Sequence, residues 1–149
     1  MVREAGCPVI TVKRRVYLSD LREIVFATNL REEEPPVMAE LSELQQMLDA
    51  RIHVLKVITA NDLPADEADK GLMNNFIKKY RLRNCDQSFI HAATEEEGVI
   101  KFTSNRPNSI IALGTHGRKG LAHIISGSVA EDLAHHATSP VWTSHIKRV

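Results

Sequence analysis

The chain has 149 residues, 43% of them hydrophobic and 26% charged, with 19 basic and 19 acidic side chains and a formal net charge of zero. That is enough chain for one full hydrophobic core and ordinary material for a soluble globular domain. The even charge argues against a nucleic-acid footprint, and no apolar run approaches the about 20 residues of a membrane span.

The N-terminus carries Arg3 and Glu4 and lacks the long apolar core of a signal peptide. Cys7 and Cys85 are isolated, so neither a disulfide framework nor a zinc site is expected. Free thiols of this kind fit a reducing cytoplasm.

Pro8, Val9, Ile10, Thr11 and Val12 make a first apolar, strand-like run. Ile24 to Thr28 is a second, stopping at Asn29, and residues 31–36 read as a polar, proline-containing turn. From Val37 the apolar positions Val37, Leu41, Leu44, Met47 and Leu48 recur at helical spacing. Ile52, Val54, Leu55, Val57 and Ile58 predict a strand, and residues 61–69 an acidic loop. A helix carrying Leu72, Phe76, Ile77 and Tyr80 follows, then a strand at residues 86–91 and a helix at 94–104. Glu95, Glu96 and Glu97 suit that helix's first turn. Ile110 to Leu113 is a strand, residues 129–136 a helix, and Val141 to Ser144 a last strand. Strands alternating with helices predict an α/β fold, a parallel sheet with helices on both faces. Ligands of such sheets sit beyond the carboxyl ends of the strands.

The strongest functional signal follows the strand at 110–113. Gly114 and Gly117 are separated by two residues, and after nine more come Gly127, Ser128 and the start of a helical pattern. Glycines let the backbone approach an anion, and the free N–H groups at a helix start then face it. Phosphate or nucleotide binding is the expectation. The spacing is neither that of a P-loop nor Gly-x-Gly-x-x-Gly. Arg118 and Lys119 lie inside the loop, where they can meet phosphate charge. Ser128 can donate its hydroxyl to phosphate, and His116 sits between the first two glycines. His116, His123, His135, His136 and His145 match no standard zinc spacing, so no metal site is assigned. No nucleophile elbow is present and no catalytic residue is assigned.

Gly114-Thr115-His116-Gly117-Arg118-Lys119-Gly120-Leu121, then Gly127-Ser128-Val129-Ala130-Glu131 and Ser139-Pro140-Val141, resemble the universal stress protein family, in the branch with a Gly-x2-Gly-x9-Gly-Ser/Thr ATP motif. The resemblance spans residues 22–145. It implies a Rossmann-like, five-stranded parallel sheet, homodimers, and ATP or a related adenine nucleotide at the sheet edge, with or without Mg²⁺. Carried over, it places Ala27, Thr28 and Asn29 on the adenosine side and Val57 at the pocket through its backbone. Leu113, Gly114 and Gly117 would line the ribose and phosphate path. Gly127, Ser128 and Val129 would hold phosphates. Asn29 departs from the family's usual Asp, losing the charge and gaining a donor.

The run from Ala5 to Lys13 echoes the segment from Ala137 to His145, which is how a domain of this family ends. Residues 1–20 therefore resemble the end of a preceding repeat, and 21–149 form the domain proper, as in the second half of a tandem protein. Residues 8–13 are expected to add beside Val141–Ser144 of a partner chain and help build a homodimer. The implied function is an adenine-nucleotide-binding stress-response module, a sensor with at most weak ATP hydrolysis. The alternatives are a dimerising interaction domain with a vestigial pocket, or a slow nucleotide hydrolase.

Overall fold

The computed structural model describes residues 7–30, 35–62, 67–114 and 128–144. Its strands are β1 (Val9–Thr11), β2 (Glu23–Ala27), β3 (Arg51–Ile58), β4 (Cys85–His91), β5 (Ser109–Gly114) and β6 (Val141–Ser144). The helices are α1 (Pro35–Leu48), α2 (Glu67–Lys79), α3 (Glu95–Thr103) and α4 (Ser128–His136). The strands form one six-stranded sheet in the order β1-β6-β5-β2-β3-β4. β2 to β6 are mutually parallel and β1 runs antiparallel to β6. The α/β expectation of five parallel strands with an added N-terminal strand therefore holds.

The period-2 alternation of the central strands decides which helices cover which face. Ile24, Phe26, Ile52, Val54, Ile110, Ala112 and Trp142 turn to one side. There they join Met38, Leu41, Leu44 and Leu48 of α1 with Met73 and Phe76 of α2. Val25, Ala27, Leu55, Val57, Ile111, Leu113 and Val141 turn to the other side, onto Val99 of α3 and Leu133 of α4. Because both faces are covered, β5 is buried at every position, which is why it reads as a continuous apolar run rather than an alternating one.

Three expectations shift in detail. Pro35 and Pro36 belong to the first turn of α1 rather than to the preceding turn, because a fixed φ and a missing N–H cost nothing there. Met47 is 61% exposed, on the flank of the α1 stripe. Leu72 is half exposed, and its neighbour Met73 is the fully buried residue of α2.

The largest difference concerns the N-terminal strand. It was expected on a partner chain, and it lies instead on β6 of its own chain, with Val9 opposite Thr143 and Thr11 opposite Val141. The last-strand edge proposed for a homodimer is thus covered from within, and Ile10 packs against the core. A strand tethered to the same chain needs no second molecule to cover the β6 edge beside Trp142 and Thr143, both of them buried. Deleting residues 1–14 should therefore cost about 1–2 kcal/mol in urea unfolding, from lost apolar burial. It should also increase self-association in sedimentation velocity, since β6 would gain a bare edge. An unchanged midpoint and an unchanged sedimentation profile would show that the β1–β6 pairing contributes nothing.

Candidate functional site

In chain order the strands run outward from β2 through β3 to β4, then return to the other side of β2 for β5 and β6. The order reverses between β2 and β5, and a crevice forms where crossovers leave in opposite directions from adjacent carboxyl ends. The register pairs Phe26 with Ala112, so Ala27 and Leu113 come level at that edge. Two segments far apart in sequence, residues 27–29 and 113–114, are thereby brought together.

A cavity of about 40 Å³ opens at this edge, lined by Ala27, Thr28, Asn29, Leu55, Lys56, Val57, Asp62 and Glu95. Ala27, Thr28, Asn29 and Val57, the four residues assigned to the nucleoside side, all face it. Leu113 and Gly114 end β5 one strand away and are buried. On the phosphate side, Ser128 and Val129 open α4. The Ser139 hydroxyl lies 3.4 Å from that of Ser109, at the start of β5. The segment that follows α4 therefore reaches the amino edge of the sheet. His116, Gly117, Arg118 and Gly127 lie outside the described residues.

The local structure of the pocket follows from where β2 stops. In a parallel ladder, alternate residues turn their N–H and C=O to opposite neighbours. The Leu55 carbonyl accepts from the Thr28 amide (3.0 Å), and the Ile58 carbonyl from the Ala92 amide (3.1 Å). Leu55 thus faces β2 and Ile58 faces β4. Val57, in phase with Leu55, turns its backbone groups toward β2. Yet the β2–β3 pairing ends at Ala27 and Leu55. The Leu30 amide, which would have continued the ladder, donates to the Thr28 hydroxyl instead (3.2 Å). Leu30 holds a left-handed φ of 66° while 7% exposed. A buried non-glycine in that region is strained, and there the chain turns away from β3, so Val57 has no strand partner on its β2 side.

Asp62, Lys56 and Glu95 were not anticipated at the pocket. Asp62 closes the turn after β3, its carboxylate Oδ2 accepting from the Thr59 amide (2.7 Å) and hydroxyl (3.0 Å). Lys56 Nζ stands 3.6 Å from Oδ1. The Thr59 amide, more than any other group, holds the Asp62 carboxyl below its ordinary value of 3.8, with the Thr59 hydroxyl and Lys56 adding to the effect against the opposing influence of burial. The signal available in sequence was a Thr-x-x-Asp spacing just past a strand, which reads only as a turn.

At the opposite edge a second polar group ties the strand starts together. Arg51 forms a double ion pair with Asp86, and His53, 7% exposed, hydrogen-bonds Glu23 at 2.8 Å. Its ring meets Phe102 edge-on, and the Arg106 guanidinium lies over the Phe102 ring at 4.2 Å. His136 of α4 pairs with Glu96 of α3 at 2.8 Å. Among the described residues no group of three metal-ligating side chains comes together, and no helix is long and apolar enough to cross a membrane.

The universal stress protein family model matches residues 21–145, and the chain belongs to that family. A universal stress protein solved in complex with cAMP is 10% identical at a TM-score of 0.64, covering 84% of this chain and 97% of its own. The universal stress protein from Archaeoglobus fulgidus in complex with dAMP is 19% identical at 0.61, covering 85% and 98%. A further universal stress protein from Archaeoglobus fulgidus DSM 4304 reaches 0.72 at 16% identity, covering 98% of this chain, which spans 53% of that longer one. At these identities the likeness is one of fold. No curated protein matches the sequence.

Two outcomes are expected here. A Cβ added to Gly98 of α3 would meet both γ-methyls of Val57, Cγ2 at 2.7 Å. Gly98→Ala gains about 1 kcal/mol in helix propensity but overpacks by about 1–3 kcal/mol. The net result should be a melting temperature lowered by several degrees, and a raised one would show that Val57 yields freely. The second concerns pH. Asp62 and Asp86 both have depressed carboxyl pKa values, Asp86 chiefly through its hydrogen bond to Arg51. Their stabilisation is complete above the ordinary value of 3.8 and is lost as pH falls through the lower folded values. Asp62→Asn should therefore melt below the parent at pH 7 and converge with it as pH falls through the depressed folded-state value.

Proposed function

We propose that the protein is an adenine-nucleotide-binding module of stress signalling, with ATP as its ligand and a sensing rather than a catalytic role. The observation that carries this reading is the vacated edge of β3 beside Asn29 at the strand-order reversal. There Val57 presents an adjacent N–H donor and C=O acceptor to the crevice, a pairing that matches the acceptor N1 and the 6-amino donor of adenine. The pocket residues fit the group. Val57 would meet the base edge, Ala27, Thr28 and Asn29 would flank the nucleoside, and Leu113 and Gly114 would line the path toward the phosphates. His116, Gly117, Arg118, Gly127, Ser128 and Val129 are assigned to the phosphates by the glycine motif. The nucleotides bound by two proteins of the same fold, cAMP and dAMP, are adenine compounds and support the base assignment.

A sensing role is favoured because nothing along the described crevice supplies an activated nucleophile or a base in hydrogen-bond reach of one. The carboxylates of Asp62 and Glu95 lie with the nucleoside residues, away from where hydrolysis would occur. ATP with Mg²⁺ at 100 times its dissociation constant should stabilise the folded chain by about 2.7 kcal/mol. The shift would appear in a thermal melt, and release of phosphate should stay near background. Gly127→Val should abolish the shift while leaving the ligand-free melt nearly unchanged. No shift with the parent protein would favour an interaction domain with a vestigial pocket, and steady phosphate release would favour a hydrolase.

A further inference from the structure

The turn that follows β3 carries a carboxylate that the glycine motif gives no reason to expect. Residues 55, 57 and 59 of β3 and its extension are in phase, so the Thr59 amide points to the same vacated side as the backbone of Val57. That amide is taken by Asp62 Oδ2 at 2.7 Å, and the Thr59 hydroxyl donates to the same oxygen at 3.0 Å. The carboxylate is therefore pinned one ladder step beyond Val57, about 7 Å along the strand at two residues' rise. It lines the same cavity. Oδ2 is occupied by the turn. Oδ1 has the Lys56 ammonium at 3.6 Å, and a carboxylate oxygen has room for a second donor.

We infer that Asp62 reinforces Val57 in selecting the 6-amino group of the base by accepting its second hydrogen, a reading that rests on the nucleotide assignment above. An adenine whose N1 meets the Val57 amide sets one amino hydrogen on the Val57 carbonyl. The other amino hydrogen points onward along the strand, where the Asp62 carboxylate stands. An ionised carboxylate only accepts, so a 6-oxo purine would bring oxygen against oxygen there. This chain has Asn29 at the end of β2, so the acidic group of the nucleoside pocket is supplied from the end of β3. Lys56 and Thr59 position the carboxylate, and Asp62 itself touches the ligand.

The experiment is titration calorimetry of the full chain with ATP and with ITP, which differ at the 6-position. The parent should bind ATP at least about tenfold more tightly, the range of one hydrogen bond to a charged group. Asp62→Asn keeps an oxygen for Thr59 and turns an NH₂ group outward, so it should lose ATP affinity, gain ITP affinity and shrink their ratio by at least about tenfold, the preference that persists coming from the Val57 backbone. A role confined to closing the turn would weaken both nucleotides together and leave their ratio unchanged, which overturns the inference while the nucleotide reading stands. A parent that binds neither nucleotide overturns both. Should Asp62→Asn fail to fold, Asp62→Ser, whose hydroxyl can still accept from the Thr59 amide, is titrated with both nucleotides. A ratio at least about tenfold smaller than the parent's supports the assignment, and an unchanged ratio overturns it.

Discussion

The site depends on one mismatch of strand lengths. β3 runs to Ile58, whereas its ladder with β2 closes at Ala27 and Leu55. Past that point β3 keeps its neighbour on one side, with Ile58 opposite His91, and faces the crevice on the other. Past Leu55 the backbone of β3 has no strand partner on the β2 side, and buried backbone groups in such a place call for another partner. The turn through Thr28, Asn29 and Leu30 is what keeps β2 from following, and the left-handed Leu30 is what that turn requires.

Electrostatic groups are distributed by sheet edge. The Arg51–Asp86 pair and the Glu23–His53 contact gather where strands begin and cross-link β2, β3 and β4 there. Lys56, Asp62 and Glu95 gather where strands end.

Much of the fold was legible in the sequence because its signals are local or periodic. The alternation of apolar strands with helical stripes sets the layers, and the glycines after Leu113 mark the carboxyl edge. The strand-then-stop pattern at residues 24–29 carries enough information to place Ala27, Thr28 and Asn29 at the pocket. What escaped depends on contacts between distant segments. Nothing local distinguishes a β1 that docks on its own β6 from one that docks on another molecule. Nothing in Thr59-Ala60-Asn61-Asp62 says that the turn faces a crevice, since that follows from the length of β2. Met73 and Leu72 exchanged roles because adjacent helical positions differ by about 100°, and only the sheet decides which one is covered.

Gly98 has a mechanical consequence. With no side chain between the α3 backbone and the methyl groups of Val57, helix and strand meet without a compressible spacer. A longer residue at that position could swing between rotamers and absorb a displacement, whereas a bare α-carbon cannot. The α3–β3 wall of the crevice is therefore stiff, its shape set when the chain folds. Adjustment of the crevice must come from its opposite wall, and a substitution in α3 registers at the Val57 backbone with little loss.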